Sequence, residues 1–487
     1  MQSGWKNRIW FWAGPVVGLL FPVFVQLDPV HPAVSAMAGI TMWMAVWWLS
    51  EVVHLAVTSL IPLIFLPLLG IADAKMVAWQ YMDQVIFLFI GGFLLAFSIE
   101  KWGLHQRIAL FILSRLGKSV NWVLFGVMGT AWLLSMWISN TATVMMLLSA
   151  VSAIILQVEL HVEPGQHKRT ARAFLLGLAY AATIGGMATL VGTPPNMVFY
   201  KEYQEAFPER HDMDFASWFA IGFPVSLVFL CFAFFLLQKI FLGKNGSARF
   251  DRKSFYSGLK SLGRMTRDQK VVLLVFFVTV LLWFTREPLV LGRLHLPGWS
   301  GFFPGGRFVL DSTVAVAMAF LLFFIPSKGQ KGQNLLSWEE INRLPLDIIF
   351  LFGSGFALAK GFELSGLSAW LAGRLAGMQD GGILLLILGI CVVVTIISEF
   401  ASNVASIQLA LPVLISMQQV LQVHPLLLMV PATLAASLGF MLPVATAPNT
   451  IVFGTGHLRV KDMMKAGLWL DIAGILLITG FVYVLVR

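Results

Sequence analysis

Apolar runs long enough to cross roughly 30 Å of hydrocarbon recur along the chain. They fall near 9–27, 34–50, 53–70, 83–100, 172–203, 219–242, 270–288, 308–326, 346–362, 424–454 and 467–486. Two further apolar blocks, near 121–158 and 382–421, are each split by a Ser-Asn pair. Such a break suits a helical hairpin that enters the bilayer and returns on the same side. The pattern predicts an all-α polytopic membrane protein with 11 transmembrane helices and two re-entrant hairpins.

The two interrupted blocks belong to a repeat. Ser139-Asn140-Thr141-Ala142-Thr143 is answered by Ser402-Asn403-Val404-Ala405-Ser406, 263 residues on, and Ile86-Phe87-Leu88-Phe89 by Ile349-Phe350-Leu351-Phe352 at the same offset. Gly192-Thr193-Pro194-Pro195-Asn196 is answered by Ala445-Thr446-Ala447-Pro448-Asn449, 253 residues on. The missing ten residues fall at the basic loop 159–170, where a deletion is tolerated most easily. The expected organisation is an extra N-terminal transmembrane helix (1–30), a first repeat (31–242, hairpin 121–158), a basic loop (243–270) and a second repeat (270–487, hairpin 382–421). An odd number of crossings separates matching blocks, so the repeat is expected to be inverted. Inverted repeats with broken helices are the pointer to a secondary transporter.

Composition narrows the class. Hydrophobic residues make up 58% of the chain and charged residues 12%, more apolar surface than a soluble fold can bury. The net charge of +9 sits in loops between spans, so it reads as a topology signal and not as a nucleic-acid footprint. Basic loops at 161–172, 243–270, 327–343 and 457–465 all fall on one face, expected to be cytoplasmic, with the acidic loop 202–214 opposite. This places the N-terminus inside and the C-terminus outside a cytoplasmic (inner) membrane. Trp47, Trp48, Trp79, Trp102, Trp218 and Trp299 near span ends are expected to lie in interfacial belts. Cys231 and Cys391, one in each of two apolar stretches, provide neither a disulfide framework nor a metal cluster. No phosphate-cradling Gly-x4-Gly-Lys-Ser/Thr motif occurs, which argues against ATP-driven transport by this chain.

The interrupted phrases carry the chemistry. Ser and Asn are poor in helix interiors and good at helix starts, and both Ser-Asn phrases directly precede apolar helical runs. Each hairpin tip should present free N–H groups and partial positive charge. Pro194-Pro195 and Pro448 remove donors and break their spans at mid-depth. Freed carbonyls suit a small cation, and helix starts suit an anion. One Ser-Asn pair alone would be an ordinary helix–helix hydrogen bond; four breaks paired by a repeat point to a pocket for an anion flanked by cations.

These residues resemble the divalent anion–sodium symporter family, whose members carry dicarboxylates, citrate or sulfate. The resemblance runs through the paired Ser-Asn-Thr signature, Gly192-Thr193-Pro194-Pro195-Asn196, and the stretch from Gly91-Gly92-Phe93 to Glu100-Lys101-Trp102-Gly103-Leu104-His105. It implies a non-enzymatic homodimer of scaffold and transport domains moving as an elevator. It also implies Na⁺ as the coupling ion, with no other cofactor. Membrane lipids and a small di- or tricarboxylate or sulfate anion are the implied partners. Carried over by residue, one sodium site is Ser135, Ser139, Asn140 and Gly192, and the other is Ser398, Ala401, Asn403 and Ala445. The implied substrate contacts are Asn140, Thr141, Thr193, Pro194, Asn403 and Thr446. Val404 and Ala447 depart from the family pattern, which leaves sulfate beside succinate, malate and citrate as the anion.

Glu399, three residues before the second Ser-Asn phrase, is an intramembrane carboxylate and so a second-rank functional candidate. It keeps open a dicarboxylate exchanger or a proton-coupled carrier as alternatives. Glu51-x-x-His54 has metal-ligand spacing but no partner set, and is expected to anchor a cytoplasmic span end. Residues 100–118 alternate basic and apolar positions, as in a helix lying in the headgroup plane.

Overall fold

A computed structural model describes residues 4–116, 119–159, 166–210, 212–243, 253–291, 294–375 and 382–485. Parts of two expected basic loops, at 160–165 and 244–252, lie outside the described residues. Apart from 3-10 turns and a short antiparallel pair, β1 (Leu289–Leu291) and β2 (Leu294–Leu296), the ordered elements are helical.

The first half begins with α1 (Gly4–Phe24), α2 (Pro32–Ser50), α3 (Leu55–Thr58), α4 (Ile61–Leu68), α5 (Ala74–Gln80), α6 (Gln84–Lys101) and α7 (Leu104–Leu116). A hairpin follows, α8 (Val120–Ser135) and α9 (Asn140–Glu159), then α10 (Gln166–Gly186), α11 (Pro194–Ala206) and α12 (Phe215–Leu237). The second half runs through α13 (Lys253–Ser261), α14 (Arg267–Phe284), α15 (Asp311–Leu322), α16 (Leu346–Ser365) and α17 (Leu367–Leu375). Its hairpin is α18 (Ile383–Phe400) and α19 (Asn403–Leu421), followed by α20 (Leu426–Ala436), α21 (Ala447–Phe453) and α22 (Val460–Leu485). Seven helices are long and apolar enough to cross a membrane, and six shorter apolar helices accompany them among the described residues.

Helix starts follow local chemistry. Asp73, Asp83 and Asp214 accept amide hydrogens in the first turns of α5, α6 and α12 at 2.8–2.9 Å. Thr266 and Gln269 form a reciprocal capping box on α14. Each cap satisfies a donor that the helix itself leaves open.

Packing then interlocks the halves. In the first, α10 is surrounded by α8, α9 and α12; in the second, α20 is surrounded by α18, α19 and α22. The helix after each break crosses over: α11 packs on α19 of the second hairpin, and α21 packs on α9 of the first. Thus neither half buries its broken helices alone. Small residues permit close approach where helices meet. A Cβ on Gly39 of α2 would strike the Gly18 carbonyl of α1, and a Cβ on Gly91 of α6 would lie 2.7 Å from Ala315 of α15. The outer faces of α1, α14, α18 and α22 leave Phe, Leu, Ile and Val exposed, as lipid contact requires.

Several expectations change. The spans expected at 172–203 and 424–454 are each two helices separated by an unwound segment. The span at 83–100 is preceded by α5, and the two together form a 28-residue apolar unit, Ala74–Lys101. Trp48 and Trp218 are fully buried, not interfacial, and Trp218 Nε1 donates to the Met187 carbonyl at 3.2 Å. Trp79 is 69% exposed, as a belt residue would be. Within the stretch expected to lie as an amphipathic helix, α7 occupies residues 104–116; Gly103 and its repeat partner Gly366 both turn at positive φ (66° and 81°) before α7 and α17.

Candidate functional site

Each hairpin tip is a helix end, a short non-helical link and a helix start, the link being a turn in the first tip and extended at Ala401 and Ser402 in the second. In the first, α8 stops at Ser135 and α9 begins at Asn140; the Ser139 hydroxyl accepts the Ala142 amide at 3.3 Å. In the second, Ser402 accepts the Ala405 amide at 3.2 Å. Both are N-caps that the Ser-Asn phrase encodes locally. Behind each tip a serine holds the asparagine side chain. The Ser135 hydroxyl donates to Asn140 Oδ1 at 2.6 Å. Ser398 Oγ lies 2.9 Å from Asn403 Oδ1 and 2.5 Å from the Ala436 carbonyl oxygen, with one proton for the two acceptors.

The unwound segments match in the same way. Asn196 donates through Nδ2 to the carbonyls of Gly186 (3.0 Å) and Thr189 (2.7 Å). Asn449 donates to those of Gly439 and Leu442, both at 3.0 Å. Each pair of acceptors lies 253 residues from its counterpart. The asparagine at the end of each proline phrase therefore ties off carbonyls that the helix break leaves open. Asn196 and Asn449 are fully buried, and their Oδ1 atoms have no hydrogen-bond partner among the described residues. Sequence reasoning quoted both asparagines as motif members but gave them no role; their conserved place in the internal repeat was the available signal.

The four breaks meet at one cavity of about 250 Å³. Ser139, Asn140, Thr141, Gly192, Thr193 and Pro194 line one side; Asn403, Val404, Ala445, Thr446, Ala447 and Pro448 line the other. Of the residues singled out from sequence, Ser135, Ser398 and Ala401 sit behind this lining, buried, and Ser135 and Ser398 touch the tip asparagines. Phe89, Phe93 and Ile348 add apolar walls. Glu51, expected at a span end, borders this cavity instead, at a left-handed turn (φ 47°) that ends α2. Its side chain is exposed, and it is the one charged residue among those lining the cavity. Glu399 does not line the cavity. It is 1% exposed, and its two oxygens accept the amides of Met441 (2.9 Å) and Leu442 (3.1 Å) in the segment between α20 and α21.

Helices α9, α11 and α19 all begin at the cavity, and the short α21 begins there too. The first-turn amides of α9 and α19 and the aligned dipoles of these helices favour negative charge, whereas Pro194 and Pro195 leave α11 without amides at its first two positions. Neutral hydroxyl, amide and carbonyl oxygens behind the tips suit a hard monovalent cation. Apart from Glu51 at its rim, the polar groups that line the cavity are neutral, which suits binding.

The family model for the sodium:sulfate symporter transmembrane region matches residues 3–486. The chain belongs to that family. It is 39% identical, over 97% of its length and 90% of the relative's, to the sodium-dependent dicarboxylate transporter SdcS of Staphylococcus saprophyticus. SdcS of Staphylococcus aureus is 36% identical over 98% of this chain and 92% of its own. Among solved structures, the fold is similar to MtrF of Neisseria gonorrhoeae, with TM-score 0.56, 14% identity and 85% of each chain covered. It is also similar to the YdaH transporter of Alcanivorax borkumensis, with TM-score 0.50, 14% identity, and 87% and 88% covered. At that identity the likeness concerns the fold alone. The family is the one that the paired Ser-Asn phrases resembled.

Proposed function

We propose that this protein is a secondary active transporter that couples inward Na⁺ movement to uptake of a small divalent anion, a C4-dicarboxylate such as succinate or malate. The observation that carries the reading is the convergence of both hairpin tips and both proline breaks on one small cavity, whose lining is neutral apart from the exposed Glu51. A buried dianion without compensation is prohibitively costly. Helix-start amides offset part of that cost, and cations held behind the tips offset the rest. Na⁺ is therefore part of the anion's affinity, and cation first, anion second is the expected order.

The first cation would take oxygens from Ser135, Ser139, Asn140 and Gly192, and the second from Ser398, Ala401, Asn403 and Ala445. The anion would meet Asn140, Thr141, Thr193, Pro194, Asn403 and Thr446. The unpartnered Oδ1 atoms of Asn196 and Asn449 support a need for positive charge near both breaks. The names of the staphylococcal relatives support a dicarboxylate over sulfate or citrate. We further infer 11 crossings with the N-terminus inside an inner membrane, an inverted repeat, and a homodimer whose transport domain moves as an elevator.

Reconstituted uptake with and without an inward Na⁺ gradient, competed by succinate, malate, citrate and sulfate, tests the reading. Na⁺-driven accumulation displaced by C4-dicarboxylates is expected. Uptake indifferent to Na⁺ but driven by internal dicarboxylate or by a pH gradient would replace it with an exchanger or a proton-coupled carrier.

A further inference from the structure

Helices α7 and α13 enclose a second cavity, far along the chain from the broken segments. It is a cleft of about 460 Å³. Positions i, i+3, i+4 and i+7 counted from Leu104 line it on α7, and those counted from Tyr256 line it on α13 and the turn after it. Each set is one side of a helix. The helices approach where a Cβ on Gly258 would lie 3.5 Å from Leu110. Met265, and Leu273 of α14, complete the lining.

The cleft is built by specific bonds. The Arg107 guanidinium donates to the carbonyls of Leu262 and Gly263, both at 2.9 Å, and to Gln269 Oε1 at 3.1 Å. This ties the link between α13 and α14, which turns at Gly263 (φ 64°), onto α7.

Charge beside the cleft is one-sided. Lys260 lines it, Arg264 follows Gly263, and Lys270 stands one turn before Leu273 on the same face of α14. All three are exposed, and none has a side-chain partner among the described residues. No acidic residue is among those lining the cleft, and nearby Asp268 is buried and engaged by Ser327, Lys328 and Gly329. Past Leu273, the exposed Leu274 and Phe277 extend an apolar track along α14. A free phosphate would use the basic rim and leave the apolar walls wet. A neutral lipid would use the walls and leave the rim idle. An anionic head on an apolar tail uses both, and basic amphipathic helices at a span end recognise such lipids.

We propose that the cleft between α7 and α13 binds one anionic phospholipid, its phosphate at Lys260, Arg264 and Lys270 and an acyl chain against Phe111, Leu259 and Leu273. The proposal rests on the reading above that sets the basic loops at a membrane surface. Its consequence follows from the packing. Helix α7 joins α6 to the first hairpin and packs on α8, where a Cβ on Gly126 would meet Leu113 at 3.0 Å. A lipid in the cleft therefore braces the support of the first tip. Helix α17, the counterpart of α7, packs instead on α2, α16 and α19, so the brace belongs to one half.

The test counts lipids. Purified full-length protein in detergent is mixed with phosphatidylglycerol or phosphatidylcholine, and native mass spectrometry reads what each chain retains. Wild type should hold one phosphatidylglycerol beyond its phosphatidylcholine count. Lys260→Ala with Arg264→Ala should weaken that retention about 30-fold, at about fivefold for each basic residue. Leu259→Trp, which fills the cleft and spares its charges, should abolish it. Phosphatidylglycerol should raise the unfolding temperature of wild type and of neither variant. Equal retention of the two lipids, full retention in the double variant, or displacement of the lipid by glycerol phosphate would overturn the proposal. So would loss of a dimer mass in Leu259→Trp, which would make the cleft a contact between copies. In vesicles, Na⁺-driven succinate uptake should rise with the phosphatidylglycerol fraction for wild type alone; uptake that ignores it would overturn the bracing role. If no vesicle supports Na⁺-driven uptake, the transport reading fails instead, and the lipid count still judges this site.

Discussion

The two halves of the molecule make the same break in different ways. Four contacts are matched by the repeat: the serine cap on the tip, the buried serine against the tip asparagine, and the two carbonyls held by the asparagine after the prolines. One contact is not. Thr189 of the first half donates its hydroxyl to the Met136 carbonyl at 2.5 Å. At the matching place in the second half, the Leu442 amide donates to the Glu399 carboxylate. The direction of this tie is kept, but side chain and backbone change places and a carboxylate is added. The lining differs too, with Thr141 opposite Val404 and Pro194 opposite Ala447. The shared bonds are those that any helix interrupted inside a membrane must make. The unshared ones are where the halves divide the labour.

Breaking the shared bonds should cost most. Asn140→Ala and Asn403→Ala each remove a tip asparagine from both the cavity and its serine. Each should lower Na⁺-driven uptake efficiency at least ~100-fold, about 2.7 kcal/mol, with expression unchanged. Wild-type rates in either would remove that residue from the site. Next is Glu399→Met, which makes the second half resemble the first but leaves two amides without their acceptor. Each buried amide so orphaned costs about 1–3 kcal/mol, so a lower unfolding temperature and a raised KM for Na⁺ are expected. An unshifted Na⁺ dependence would show that the Glu399 tie is only structural. Asn196→Ala and Asn449→Ala should each destabilise by about 1–3 kcal/mol, to similar extents if the halves are equivalent; calorimetry in detergent reads this. The smallest effect sharpens the asymmetry of the lining. Val404→Thr restores a hydroxyl worth about 0.5–1.5 kcal/mol, or roughly 2–12-fold in KM. An unchanged KM across succinate, malate, citrate and sulfate would show that position 404 faces away from the anion.

Much of this was legible in the sequence because span length, helix-start residues and internal offset are local properties. The hairpins, expected at 121–158 and 382–421, appear as helix pairs 120–159 and 383–421. What was not legible depends on tertiary partners. Trp48 and Trp218 looked interfacial by position, yet both are fully buried in the protein. Glu51 looked like an anchor, yet the left-handed turn after α2 carries it to the cavity rim. The roles of Asn196 and Asn449 needed the path of the unwound backbone, which no periodicity encodes.

The central claim is that both hairpin tips face one anion. Thr141→Cys and Val404→Cys, each placed in a chain whose Cys231 and Cys391 are replaced, can be labelled with a membrane-permeant thiol reagent in Na⁺ medium. Succinate should protect both cysteines, with the same concentration dependence. Protection of one alone, or of neither while uptake persists, would contradict a shared site between the two halves.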